Sequence, residues 1–192
     1  MRKLVVTENI TLDGVIEATE YWFGPAGADE GESWSDQSDI EDEIRRQREG
    51  ADGFLVGRTT FEQMRSYWPT QTDDTTGISD YLNNVAKYVV SRTLENPDWD
   101  PTTVLRGVLV DEINALKSQP GRDIVTTGSI TLVHSLIGAG LVDEFRLFVY
   151  PVVIGHGERL FSDAAKPPKL RLLQSKEFES GIVLLRYGVE QH

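Results

Sequence analysis

The chain contains no cysteine. This absence excludes disulfide bonds, thiolate nucleophiles, iron–sulfur clusters and cysteine-ligated zinc. Histidine is scarce as well, since only His134, His156 and His192 occur among 192 residues. Three histidines so far apart do not suggest a metal site, and we expect no metal.

Basic residues are also in short supply. Lys and Arg number 19 against 31 Asp and Glu, which gives a net charge of −12. Non-specific binding of nucleic acid needs a basic face that neutralises phosphates, so nucleic acid is not an expected partner. The imbalance is concentrated in residues 1–52, which hold 14 acids and 5 bases. We therefore expect an anionic ligand to bind to later segments.

Long apolar runs are missing too. The longest, residues 147–154, is interrupted by Pro151 and is far shorter than the ~20 residues of a membrane span. The first ten residues lack the apolar core of a signal peptide. We therefore expect a soluble cytoplasmic protein without a membrane partner, folded as one domain over residues 1–192.

Short apolar strands alternate with helix signals along the chain. Strands are predicted at residues 4–6, 54–56, 88–90, 124–125, 145–154, 170–178 and 182–189. Helices are predicted from the capping boxes at Ser38 and Thr59, around residues 109–116, and after Ser129 as an N-cap. Loops are predicted at residues 24–36 and 69–79. This order predicts an α/β fold with a mostly parallel sheet and antiparallel C-terminal edge strands.

Three of the predicted strands end in residues that can donate hydrogen bonds to an anion. After two of them a glycine precedes a helix, where free backbone N–H groups and the helix dipole favour negative charge. The residues are Gly57, Arg58 and Thr59 after the second strand, Ser91, Arg92 and Thr93 after the third, and Gly128, Ser129 and Ile130 after the fourth. An ordinary capped helix is the alternative at each glycine junction. Three such ends together suit a long polyphosphate ligand across the carboxyl edge of a sheet.

Four segments in chain order carry a resemblance to a known superfamily. They are residues 11–16 (TLDGVI), 56–62 (VGRTTFE), 87–93 (KYVVSRT) and 128–161. The chain resembles the dihydrofolate reductase superfamily, and most closely the branch that includes the C-terminal reductase domain of bifunctional riboflavin-biosynthesis proteins. The resemblance implies a three-layer, dihydrofolate-reductase-like fold.

The resemblance also implies that the chain binds NADPH. The implied contacts are Ile16 and the backbone near Asn9 at the nicotinamide, Gly57, Arg58, Thr59, Gly128, Ser129 and Ile130 at the pyrophosphate, and Ser91, Arg92 and Thr93 at the adenosine 2′-phosphate. The chain departs from folate reductases at Thr127, where they have glycine, and at Leu132, where an aromatic residue is usual.

The substrate side is less well defined by the sequence. Residues 17–37 contain Trp22, Phe23 and Trp34 among acids and glycines. These aromatic rings either stack on a flat heterocycle, which makes Trp22 and Phe23 candidate substrate contacts, or pack on the core.

Three charged residues have both a functional and a structural interpretation. Asp13 and Glu43 are candidates for the proton donor, because a buried carboxyl gains a raised pKa. Asp13 also precedes a turn glycine, and Glu43 also fits a solvated helix face. Arg159 either binds a substrate phosphate or pairs with Glu158 or Asp163. A water molecule is the remaining source of the proton, so the acid is unassigned.

These features predict an NADPH-dependent reductase that transfers hydride to a C=N or C=O carbon of a small heterocycle. A ribosylaminopyrimidine, as in riboflavin biosynthesis, is the first expected substrate, and a pterin or folate is the second. The alternative is a non-catalytic protein that senses NADPH or another ligand on the same fold. Pro151 would also place the apolar strand 145–154 at a sheet edge or at a bulge. Because an exposed apolar edge strand tends to associate, we expect a two-fold homodimer through this strand or its neighbours.

Overall fold

The computed structural model describes residues 1–18, 22, 38–161 and 168–190. Its strands form one sheet: β1 (Leu4–Thr11), β2 (Ala51–Gly57), β3 (Ala86–Val90), β4 (Thr102–Leu105), β5 (Asp123–Thr126), β6 (Glu144–Tyr150), β7 (Leu170–Glu177) and β8 (Val183–Val189). Its helices are α1 (Ser38–Glu49), α2 (Arg58–Tyr67), α3 (Ile78–Asn84), α4 (Leu109–Ser118) and α5 (Ile130–Gly138), with a short 3-10 helix at Trp68–Thr70.

The strand order is β4-β3-β2-β5-β1-β6-β8-β7. Strands β1 to β6 are parallel, β8 is antiparallel to β6, and β7 is antiparallel to β8. The predicted α/β class, with a mostly parallel sheet and an antiparallel C-terminal edge, is therefore confirmed.

Helices cover both faces of the sheet. On one face α4 and α5 pack on the central strands, in a cluster that includes Leu55 and Leu136. On the other face α2 and α3 pack around Phe54 and Phe61, and Ile40 of α1 packs against β6 and β8. Because side chains alternate along a strand, neighbouring residues of β2 serve opposite layers, and the chain has the three-layer arrangement that the resemblance implied.

Strand β6 differs from its prediction in length and in place. It ends at Tyr150, because Pro151 has no N–H group to continue the ladder. It also lies between β1 and β8, so the predicted edge position was wrong. The edge strand on this side is β7, whose Leu172 and Leu173 are 53% and 39% exposed. The homodimer stays a prediction.

Three elements were not predicted from the sequence, namely the 3-10 helix at Trp68–Thr70, helix α3 and strand β4. Helix α3 begins at Ile78, within a segment predicted as a loop, and β4 has only 4 residues. The other predicted loop, residues 24–36, lies outside the described residues. Within the part of the chain that the structure describes, no helix has the length and apolar character needed to cross a bilayer.

Candidate functional site

Strands β3, β2 and β5 are neighbours in the sheet and run parallel. Their carboxyl ends therefore lie side by side at one edge, and residues 91–93, 57–59 and 128–130 follow them in that order. Helix α2 begins at Arg58 and α5 at Ile130, so the first N–H groups of both helices lie at this edge without intrahelical partners. Two helix dipoles favour an anion here. We call residues 57–59 and 128–130 the cradle.

One side chain joins the two halves of the cradle. Ser129 Oγ accepts a hydrogen bond from the Gly57 N–H at 2.9 Å and donates one to Thr60 Oγ1 at 2.7 Å. A Cβ at position 57 would lie 2.9 Å from Ser129 Oγ, so the close approach favours glycine. Ser129 has a left-handed φ of 55°. It occupies the predicted N-cap position of α5, but its hydroxyl links two helices and makes no capping bond to its own.

A buried carboxyl that sequence reasoning missed lies beneath the cradle. Glu8, on β1, is 5% exposed, and its Oε1 accepts a hydrogen bond from the Gly128 N–H at 2.9 Å. Burial raises the pKa of Glu8 to about 8, against the opposing effect of the Gly128 bond. At neutral pH the carboxyl is therefore mostly protonated. The signal in the sequence was an acid whose same-face neighbours on the strand, Val6 and Ile10, are apolar.

Two arginines lie at these strand ends. Arg58 pairs with Glu62 one turn along α2, at 3.2 Å, and such exposed pairs contribute little to stability. Arg92 is exposed and has no ion-pair or hydrogen-bond partner among the described residues. Ser91 Oγ accepts hydrogen bonds from the backbone N–H groups two and three residues further on, at 3.2 and 3.0 Å. These bonds fix the turn that carries Arg92.

The other predicted cofactor contacts have varied surroundings. Thr59 and Thr93 are exposed, and Ile130 is half-buried. Ile16 is 7% exposed, packs in the core, and donates its backbone N–H to the Glu158 carbonyl at 2.9 Å. Among the described residues, no three His, Asp or Glu side chains converge where they could hold a metal ion.

A cavity of about 260 Å³ lies on the other face of the sheet from Glu8, between the sheet and α1, α2 and α3. Its apolar walls are Ile44, Phe54, Met64, Trp68, Ile78, Tyr81, Leu82, Val125 and Phe148, and its polar groups come from Thr7, Asn9, Gln47, Arg48 and Thr127. We call this cavity the ring pocket, because such walls suit a flat ring. Thr127 lines the ring pocket and Gly128 belongs to the cradle, so the two sites adjoin.

Of the predicted aromatic contacts, only Trp22 lies within the described residues. Its ring meets Tyr150 edge-on, with the centroids 5.4 Å apart, and its Nε1 donates to the Glu17 carbonyl at 2.8 Å. Trp22 therefore packs on the core and does not line the ring pocket. Phe23 and Trp34 lie outside the described residues.

Asp13 organises the loop after β1. Its carboxylate accepts hydrogen bonds from Thr11 Oγ1 at 2.7 Å and from the Gly155 N–H at 2.8 Å. The Thr11 bond, followed by the Gly155 bond, lowers the pKa of Asp13 to about 2. Arg159 Nε donates to the Asp13 carbonyl at 3.1 Å, and the guanidinium lies 3.8 Å from the carboxylate. Arg159 therefore pairs with Asp13 and not with Glu158; the other predicted partner lies outside the described residues.

Glu43 is buried on α1 and is engaged in ion pairs. Lys176 Nζ lies 3.0 Å from its carboxylate, and the Arg46 guanidinium lies 3.2 Å away. Burial alone would raise the pKa of Glu43, but the bonds from Lys176 and Gln47 outweigh it and lower the pKa. Asp13 and Glu43 are thus ionised at neutral pH and do not line the ring pocket, which disfavours both as proton donors.

Two relatives from Bacillus subtilis (strain 168) are similar in sequence. The uncharacterized protein YyaP is 36% identical over 138 residues, which cover 71% of this chain and 73% of YyaP. The uncharacterized protein YwjB is 26% identical over 183 residues, which cover 95% of this chain and 96% of YwjB.

Two solved structures share the fold. A putative riboflavin biosynthesis protein from Shewanella sp. PV-4 superposes with a TM-score of 0.71 at 20% identity, over 98% of this chain and 99% of that one. A diaminohydroxyphosphoribosylaminopyrimidine deaminase/5-amino-6-(5-phosphoribosylamino)uracil reductase from Thermotoga maritima gives a TM-score of 0.62 at 16% identity, over 98% of this chain and 57% of that one. The family model of the RibD C-terminal domain matches residues 2–184, and the chain therefore belongs to the RibD C-terminal domain family.

Proposed function

We propose that the protein is an NADPH-dependent reductase that transfers a hydride to a C=N or C=O carbon of a small heterocyclic substrate. The observation that carries the proposal is the junction of the cradle with the ring pocket at Thr127 and Gly128. A dinucleotide whose pyrophosphate lay on the cradle would have one end beside the ring pocket. The name of the Thermotoga neighbour includes a reductase of a phosphoribosylaminouracil, which supports the same chemistry.

The residues of the cradle fit a dinucleotide. Among the described residues, a Cβ at Gly128 would have only Thr60 Cγ2 within 4 Å, at 3.8 Å, so a ligand can approach the backbone there. The first N–H groups of α2 and α5 would hold the pyrophosphate, with Arg58 adding positive charge. Arg92 would hold the 2′-phosphate that distinguishes NADPH from NADH, because a guanidinium binds phosphate with paired hydrogen bonds.

The ring pocket would hold the heterocycle. NADPH, when bound, supplies the hydride. Aromatic walls such as Phe54 and Trp68 would stack on the acceptor ring and exclude water, while Asn9 and Gln47 can hydrogen-bond its edge. Reduction also consumes one proton, and no described residue of the pocket wall is a carboxylic acid. We therefore assign the proton to water, with a ribosylaminopyrimidine as the first candidate substrate and a pterin or folate as the second.

The test is NADPH oxidation by the purified protein with a panel of ribosylaminopyrimidines, pterins and dihydrofolate. We expect a steady loss of NADPH absorbance that depends on one class of substrate. Trp68→Ala should lower turnover while leaving the affinity for NADPH within about twofold, because Trp68 lines the ring pocket and is no part of the cradle. Tight NADPH binding without turnover of any compound would favour the sensor alternative, and no NADPH binding would contradict the proposal.

We also propose that the protein is a homodimer. An exposed, partly apolar edge strand invites pairing with another chain, and β7 provides one through Leu172 and Leu173. Light scattering should give a mass near twice 21.5 kDa, and a mass of one chain at micromolar concentration would contradict this.

A further inference from the structure

The buried carboxyl of Glu8 has no part in the chemistry described above. It lies on β1, beneath the turn that begins α5, and among the described residues its one hydrogen bond is the one from the Gly128 N–H at 2.9 Å. Gly128 and Ser129 both have left-handed backbone angles, with φ of 66° and 55°. The bond from Gly128 to Glu8 therefore fixes an unusual turn within the cradle.

Within residues 1–18, 22, 38–161 and 168–190, no cationic side chain pairs with this carboxyl. Its pKa is set by burial, which raises it, and by the Gly128 bond, which lowers it. The residue opposite Glu8 on the neighbouring strand β6 is Leu147, which carries no charge. The titratable residue of α5, His134, contacts the Arg159 carbonyl at 2.8 Å. On α4, Lys117 pairs with a carboxylate at the opposite end of β1, at 2.6 Å.

The charged side chains of β5 and β6 lie on the other face of the sheet. Asp123, Glu144 and Arg146 alternate with residues of the Glu8 face, and they pair with one another and with Arg186. Among the described residues, the elements around Glu8 therefore offer it no counter-charge.

We propose that Glu8 is a positioning residue of the cradle, and that a dinucleotide binds to the cradle while the Glu8 carboxyl is protonated. The proposal rests on the proposed function, since it concerns the same pyrophosphate site. In its neutral form the carboxyl still accepts the Gly128 hydrogen bond and holds the turn. In its ionised form it places an uncompensated negative charge in a low-dielectric environment beside the bound anion, where charges repel strongly.

This coupling has a definite sign. Free Glu8 loses its proton as the pH rises through about 8. Binding then requires uptake of a proton, so the Kd for NADPH should rise above that pH, by at most about tenfold per pH unit. The 2′-phosphate of the cofactor is already fully ionised above about pH 7, so the ligand itself contributes no such change.

The experiment measures the Kd for NADPH between about pH 7 and about pH 9.5 for the wild type, Glu8→Gln and Glu8→Leu. Gln keeps the hydrogen-bond acceptor and cannot ionise. The Kd of Glu8→Gln should therefore match that of the wild type at about pH 7 and stay constant as the pH rises. Leu lacks the acceptor, so its Kd should be raised and equally flat. Glu112→Gln is the matched control, because Glu112 also accepts a glycine N–H, that of Gly107 at 2.8 Å, in an exposed bond. This control should keep the wild-type slope.

Lys87 needs consideration because burial lowers its pKa to about 8. It is present in every variant, so the difference between wild type and Glu8→Gln isolates Glu8. Calorimetry of the wild type and of Glu8→Gln gives a second measurement. In two buffers of different ionisation enthalpy, near pH 8.5 (roughly half a unit above the pKa of Glu8), we expect NADPH binding to take up protons in the wild type and not in Glu8→Gln.

The outcomes separate the two proposals. A sloped wild type with a flat Glu8→Gln, together with proton uptake, supports the role of Glu8. Parallel pH profiles for these two proteins, or no proton uptake by the wild type, would overturn it. Failure of every protein to bind NADPH at any pH would contradict the proposed function, and the role of Glu8 with it.

Discussion

The contact between Gly57 and Ser129 can be tested by two substitutions. Gly57→Ala adds a methyl group at position 57, and Ser129→Gly removes the side chain that this methyl group would meet. Gly57 has an ordinary φ of −81°, so Gly57→Ala introduces no backbone strain. Its new Cβ would, however, lie 2.9 Å from Ser129 Oγ and 3.1 Å from Ser129 Cβ. Ser129 must move, and the cradle must open with it.

The magnitudes follow from these contacts. Overpacking of this kind costs about 1–3 kcal/mol. Ser129→Gly removes the clash together with two hydrogen bonds, worth about 0.5–1.5 kcal/mol each. It also relieves a left-handed backbone that costs a non-glycine residue roughly 1–2 kcal/mol. Ser129→Gly alone should therefore change the free energy of unfolding by less than about 2 kcal/mol.

The affinity for NADPH should respond more strongly than stability does. Gly57→Ala should weaken binding by about tenfold or more, which corresponds to about 1.4 kcal/mol, because the displaced turn carries the helix N–H donors. In the Ser129→Gly background, Gly57→Ala should cost less than about 0.5 kcal/mol of NADPH binding free energy. The reason is that Ser129 Oγ, which the new Cβ would meet at 2.9 Å, is gone.

Urea unfolding and NADPH titration of the four proteins in this cycle provide the measurement. A coupling of about 1 kcal/mol or more between positions 57 and 129 is expected in both assays. Additive effects, within about 0.5 kcal/mol, would show that the two residues do not meet as the structure describes, and the cradle would then lose its geometric basis.

Three further substitutions probe charges at and away from the edge. Arg92→Glu should weaken NADPH by about 10- to 100-fold and leave NADH nearly unchanged, since hydrogen bonds to charged groups are worth roughly 1.5–3 kcal/mol; an unchanged ratio of the two affinities would remove Arg92 from the 2′-phosphate. Arg58→Ala should weaken NADPH with little change in melting temperature, because its pair with Glu62 is exposed; equal losses of affinity and stability would indicate a structural role. Burial opposes the low pKa of Glu144, but bonds from Arg146 and Arg186 hold it at about 2, below the ordinary 4.5. Its ionisation therefore stabilises the fold above about pH 4.5 by on the order of 3 kcal/mol and ceases to do so as the pH falls toward 2. Glu144→Gln should be destabilised at neutral pH and approach the wild type in acid, and a constant difference in unfolding free energy across that range would refute this.

The strand-end pattern could be predicted because its signals are local. A glycine between a buried strand and a helix start needs only a few consecutive residues, as at Gly57 and Gly128. Parallel strands then bring their carboxyl ends to one edge, which the order β3-β2-β5 confirms. The roles of these residues toward NADPH stay predictions.

The strand that was misplaced shows the limit of local reasoning. Apart from Arg146, residues 145–154 are apolar on both faces, and a strand of that kind is buried between helices and neighbouring strands. Pro151 ends β6 without making it an edge. Helix α3 was missed although Ile78, Tyr81 and Leu82 have helical spacing, because polar turn residues precede it and it has only 7 residues.

The protonation states of Glu8, which sequence reasoning missed, and of Asp13, which it named, depend on distant partners. Glu8 meets Gly128, 120 positions away, and Asp13 meets Gly155, 142 positions away. The first carboxyl is buried without a cation and the second accepts several hydrogen bonds. Their pKa values consequently move in opposite directions, to about 8 and about 2. Asp13, one of the two candidates for the proton donor that the sequence offered, is therefore an acid that the fold keeps ionised.

The same contrast explains how a protein of net charge −12 can hold an anion. Long-range attraction is unfavourable, so affinity must come from donors within a few ångströms, which are helix N–H groups and two arginines at one sheet edge. The acid that bonds to Gly128 of the cradle, Glu8, is mostly neutral at pH 7 because it is buried. Ionised Glu43, on α1, pairs with Lys176 of β7, and ionised Asp13 accepts a hydrogen bond from the Gly155 N–H. Burial at one position and pairing at the others thus remove negative charge from the place where the pyrophosphate would lie.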